Sequence, residues 1–135
     1  MIKLQISDIH RDPENTEFTE PYEVILYIEG RLFVELNSRI FFNEQICIVE
    51  LAFALRDWRN KGLMTSFYYE SMDNEELHIF DVNLLDNGVF SFSSAWQESE
   101  VADTFSRDDI IEFIENYLEK VKILVLERFH IHLSV

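Results

Sequence analysis

The stretch from Gln45 to Gly62, QICIVELAFALRDWRNKG, restricts the possible folds more than any other part of the chain. Ile48, Leu51, Leu55 and Trp58 recur at three- and four-residue steps and so share one side of an α-helix. Around them Ile46, Cys47, Val49, Ala52, Phe53 and Ala54 leave almost no polar face in the first half, which predicts a helix enclosed by other elements. Polar residues enter only with Arg56, Asp57, Arg59 and Lys61. Gly62 follows them, where a left-handed residue is expected after the last turn and cations complement the helix dipole. Glu50 is the one charge inside the apolar half. Enclosed, it needs a partner or a proton. Arg31, Arg39 or a backbone turn are the candidates, and a structural anchor is favoured over a general base.

The flanking segments alternate with a period of two. Ile2, Leu4 and Ile6 predict a half-buried strand, and the acidic, Pro-containing segment Ser7 to Pro21 reads as a surface loop. From Tyr22 to Leu36 two alternating runs meet around Glu29-Gly30-Arg31, and a three-residue loop there keeps both apolar sets on one face. Asn37-Ser38 marks a second turn, and Arg39 to Phe42 reads as a short strand leading into the helix. Beyond Gly62, Ser66 to Ser71 and Leu77 to Leu85 read as strands joined by a turn at Met72-Asp73-Asn74-Glu75. Asp86-Asn87-Gly88 is the strongest turn signal. With a three-residue loop and a left-handed Gly88, Phe90, Phe92 and Trp96 fall on one face, opposite His78, Phe80, Val82 and Leu84.

The last element has a well-specified start. Ser106 can cap, Asp109 can reach back, and Phe105 can pack on Ile110. Ile110, Ile114, Tyr117, Val121 and Leu124 then carry an apolar stripe through about Phe129. The tail from His130 alternates as a short strand would. The order predicts a single α+β domain over residues 1–135: an antiparallel sheet of about six strands, a hairpin followed by a meander, with a buried central helix and a long C-terminal helix on one face. A chain of 135 residues with 47% hydrophobic content, 12 Phe and only 3 Gly and 2 Pro can bury such a core with short connections.

Charge bears on function. Twenty-six acidic residues against 11 Lys and Arg give a formal net charge of −15, a field that repels nucleic acid and anionic lipid and attracts basic proteins. From Gly62 to Glu119 fourteen carboxylates face one base, Arg107. The functional reading is a docking surface for a basic partner; the bland reading is a solvated face. The N-terminus has no signal-like apolar run and no stretch reaches membrane-spanning length, which predicts a cytoplasmic protein.

Motifs for chemistry are lacking. Cys47 sits among apolar residues that disfavour a reactive thiolate. Ser91, Ser93 and Ser94 form no nucleophile elbow. Asp73, Glu75 and Glu76 lack the calcium-loop spacing, and His130 with His132 lacks a third ligand. The expectation is a non-catalytic protein with no cofactor and no metal.

Three segments, the Glu50-Leu51 helix ending in Trp58, Tyr69-Glu70-Ser71-Met72-Asp73 to Glu76, and Ser94-Ala95-Trp96-Gln97, together with size and acidity, give a chain that resembles the immunity proteins encoded beside polymorphic bacterial toxins. The resemblance implies binding to a cognate toxin domain without catalysis. A toxin acting on nucleic acid presents a basic cleft that an acidic inhibitor can occupy. Tyr69, Glu70, Asp73, Glu75, Glu76, Glu98, Glu100 and Asp103 are the expected partner-binding residues, with Tyr69 as the aromatic anchor. Alternatives are an adaptor or self-associating module, forming homo-oligomers, and an enzyme whose site is assembled from distant residues.

Overall fold

The computed structural model describes residues 1–11, 27–71 and 78–135. In chain order these form β1 (Ile2–Arg11), β2 (Ile28–Leu36), β3 (Arg39–Cys47), α1 (Ile48–Asn60), β4 (Phe67–Tyr69), β5 (Phe80–Leu84), β6 (Phe90–Ser93) and α2 (Arg107–Phe129). The class is α+β, as the sequence predicts. The expected single sheet is instead two antiparallel sheets of three strands, in the orders β1-β2-β3 and β4-β5-β6. The edge of β3 is occupied by a loop: the Glu98 N–H donates to the Phe41 carbonyl at 2.8 Å. Side chains rather than backbone join the sheets. An extra residue in β3 between the Val34–Phe42 and Glu35–Ile40 pairs makes a bulge, and both Phe41 and Phe42 are buried. Phe41 lies edge-on to Phe80 and Phe92 at 5.8 Å, and Phe42 to Phe80 at 5.3 Å.

The enclosed helix has neighbours on several sides. α1 packs on β2, β4 and α2, and α2 also covers β1. Ile48, Val49, Leu51, Ala52, Leu55 and Trp58 are all buried. The Trp58 ring meets Phe67 and Phe90, and its indole N–H donates to the Thr65 carbonyl at 3.0 Å. The helix starts later than the apolar run suggests, because Gln45, Ile46 and Cys47 finish β3, and Cys47 is followed directly by the first helical residue. Gly62 takes a left-handed φ of 88°, as expected after the last turn.

Gly30 is not a turn. It lies inside β2, where the buried alternation Ile28, Gly30, Leu32, Val34, Leu36 runs straight through it. The expected hairpin is therefore corrected to one continuous strand, paired with β1 on one side and β3 on the other. Residues 22–26 of the expected partner strand lie outside the described residues. The glycine answers a long-range demand: a Cβ here would stand 3.3 Å from the Ile48 side chain and 3.3 Å from the Ser7 carbonyl. Gly30→Val is expected to cost about 1–3 kcal/mol through overpacking. Chemical denaturation checks it, and an unchanged midpoint would mean that Ile48 can retreat.

The remaining turns follow sequence parity. Asn37 and Ser38, with φ of 48° and 71°, make a two-residue turn of left-handed residues. Across Asp86-Asn87-Gly88, Leu85 N–H bonds to Val89 O at 2.9 Å, Leu84 pairs with Phe90 and Val82 with Phe92. Asp109 N–H donates to Ser106 Oγ at 3.1 Å while Ser106 N–H donates to Asp109 Oδ2 at 3.2 Å, the reciprocal cap expected for α2. Two further expectations are corrected. Ser7 to Arg11 belong to β1, with an irregularity after Ser7, and residues 12–21 of the expected loop lie outside the described residues. His130, with φ of 58°, ends α2, and the tail after it forms no strand. The tail is tied back by the Arg56 guanidinium donating to Ser134 O at 2.8 Å. Among the described residues no helix is long and apolar enough to cross a membrane.

Candidate functional site

Where β3 gives way to α1, the ends of both sheets leave a cleft of about 160 Å³ lined by Glu29, Gln45, Ile46, Cys47, Tyr69, Ser71, Ile79 and Trp96. Its first wall is built by strand register. His10, Glu29 and Cys47 stand opposite one another on β1, β2 and β3. Glu29 Oε2 accepts from Gln45 Nε2 at 2.6 Å and lies 3.2 Å from His10 Nε2.

The floor is Tyr69. Only 1% exposed, it donates its hydroxyl to Glu50 Oε1 at 2.6 Å. Burial first, then the bond to Glu50 and its negative charge, pushes this phenol far above its ordinary value, so it serves as a fixed donor. The pair supplies Glu50 with a partner. Arg31, one of the expected partners, donates to Asn43 instead, at 3.1 Å. Register sends Tyr69, the expected aromatic anchor, inward to the cleft floor and its neighbour Tyr68 outward.

The second wall is Trp96, held by a knot of local bonds. The Ser94 hydroxyl donates to Ile79 O and accepts from Trp96 N–H, at 2.9 Å for the latter. Gln97 Oε1 accepts from Ser94 N–H at 3.2 Å, and Ala95 N–H donates to His78 O at 2.9 Å. Residues from the Tyr69 and Ser94 segments thus meet over the start of α1.

A second polar pair lies on β5. Asp81 is buried; its Oδ2 is 2.7 Å from His78 Nδ1, and its Oδ1 has no hydrogen-bond partner among the described residues. Burial raises its carboxyl above the usual range, and the His78 contact only partly opposes this. The His78 ring meets exposed Tyr68 edge-on at 5.6 Å. Among the described residues no three His, Cys, Asp or Glu side chains are placed to hold a metal ion.

The expected acidic residues are partly described. Glu70, Glu98, Glu100 and Asp103 are all exposed. Glu70 adds to the upward push on Asp81, and Asp103 accepts from Asn37 Nδ2 at 2.6 Å. Asp73, Glu75 and Glu76 lie outside the described residues. Glu29, Gln45 and His10 carry no local signal in the sequence, since only cross-strand register unites them. The one sequence signal of Asp81 is a carboxylate set between Phe80 and Val82.

An acidic α+β domain with two small antiparallel sheets around a helix pair is the class these observations define. Residues 2–127 match the DUF7878 family, described as a domain of unknown function, and the chain belongs to that family. Comparison with curated proteins and with solved structures gives no match.

Proposed function

We propose that the chain is a non-catalytic, cytoplasmic binding protein that docks a basic protein partner through its acidic surface. The supporting observation is a run of exposed carboxylates with few cations to neutralise them. Glu98, Glu100 and Asp103 are exposed before α2. Asp108, Glu112, Glu115 and Glu119 then continue at steps of four, three and four along one exposed helix face. Among the described residues the one Lys or Arg bridge to that face is Arg59 to Glu115 at 3.0 Å. A surface so unbalanced accelerates encounter with a cationic protein and weakens as salt rises. The resemblance to immunity proteins adds the partner class, a toxin domain with a basic nucleic-acid cleft.

The test is co-expression with neighbouring reading frames and capture at low and moderate salt. One basic partner should be retained and then loosened by salt, and charge reversal at Glu98, Glu100 and Asp103 together should weaken it further. Affinity indifferent to both would overturn the proposal. Mass rising with concentration in the absence of a partner would point to self-association instead.

A further inference from the structure

We infer that the cleft between Glu29, Tyr69 and Trp96 receives a single arginine side chain of the basic partner. The inference rests on the docking reading above and assigns its anchor. The argument is which hydrogen-bonding groups remain unused. The Gln45 amide nitrogen is spent on Glu29 Oε2 at 2.6 Å, which leaves the Gln45 amide oxygen as an acceptor. Glu29 Oε1 takes no hydrogen bond from any described residue, because Gln45 and His10 both address Oε2. The Tyr69 hydroxyl is committed to Glu50. The Ser71 hydroxyl is engaged with Tyr69, so among the described residues Glu29 Oε1 and the Gln45 amide oxygen remain as acceptors beside the Trp96 indole.

Two acceptors, one of them a carboxylate oxygen, favour a donor-rich cation over an anion. A cavity of about 160 Å³ takes one side chain and no larger element. A guanidinium suits it better than an ammonium: its planar fork can address the two oxygens and lie on an aromatic ring, and it is less strongly hydrated. The approach is acidic as well. Exposed Glu70 lies between two lining residues in the chain, Tyr69 and Ser71, and exposed Glu98 lies two residues after Trp96.

The experiment is an NMR titration of the full chain with N-acetyl-arginine amide, with its uncharged citrulline counterpart, and with a tetralysine peptide. The arginine probe should give saturable shifts at the Trp96 indole N–H and the Gln45 side-chain amide, and citrulline should bind about tenfold more weakly or worse. Glu29→Gln, which keeps shape and removes charge, should weaken the arginine probe about tenfold, and Asp86→Asn in the exposed turn between β5 and β6 should not. Gln45→Ala, at an exposed position, gives a second variant should Glu29→Gln disturb the sheet. Equal response to citrulline, or indifference to both cleft variants, overturns the inference. Tetralysine shifts along Glu98 to Glu119 with a silent Trp96 for arginine would leave acidic docking standing and remove the cleft from it. Silence toward both cationic probes would remove both.

Discussion

Phe80→Ala should lose about 3–5 kcal/mol of folding stability, a large share of the roughly 5–15 kcal/mol that a domain of this kind has in total. Phe80 is the point where three layers meet. Its ring lies 5.8 Å from Phe41, 5.3 Å from Phe42, 5.8 Å from Phe92 and 6.1 Å from Phe113. The first two belong to the other sheet and the last to α2, so truncation opens the joint between sheets along with a local void. Urea unfolding followed by circular dichroism measures the loss. Tyr68→Ala, next door on β4 but 52% exposed, is the control and should stay within about 0.5 kcal/mol. Equal, small losses for both would mean that the two sheets do not share one core.

Alkaline pH should destabilise the fold steeply. Tyr69 and Tyr117 are both held above the ordinary phenol value of 10.0, in each case chiefly by burial. The sign follows from linkage. Where the folded state holds a phenol proton more tightly than the unfolded chain, stability is complete below the ordinary value and falls as pH rises above it. Each such phenol contributes a slope of about 1.4 kcal/mol per pH unit above pH 10, so the two together give about 2.8. Tyr117→Phe should halve that slope. At neutral pH it should cost about 1 kcal/mol, since the bond from the Tyr117 hydroxyl to Ile48 O at 2.7 Å is lost. Urea midpoints measured from pH 8 upward decide the matter, and a slope that Tyr117→Phe leaves intact would sink the explanation.

What the sequence reveals and what it hides divide along a physical line. Features set by neighbours in the chain are legible. The reciprocal cap at Ser106 and Asp109 lies within four residues, and the Asp86-Asn87-Gly88 loop is fixed by the parity of Leu84 and Phe90. Features set by distant partners are not. Gly30 looks like turn chemistry because the close approach of Ile48 leaves no trace beside it. Ile46 and Cys47 extend an apolar run that suits a strand as well as a helix, and only pairing with β2 assigns them to β3. The inward direction of Tyr69 depends on its alignment with Phe80, and its bond to Glu50 spans 19 positions. The cleft combines residues from five segments, so no local motif announces it.

The absence of any loop between Cys47 and Ile48 ties two periodicities into one phase. Inserting one residue there would carry the side chains of β3 to the opposite face or turn α1 by about 100°. In the first case Phe42 would leave the core; in the second, the Leu51 and Leu55 stripe would swing away and Glu50 would lose Tyr69. The Asp86-Asn87-Gly88 connection, exposed and joined to short strands, can absorb added length without such a cost. Added length should therefore be tolerated at the rims of this molecule and not at its central seam.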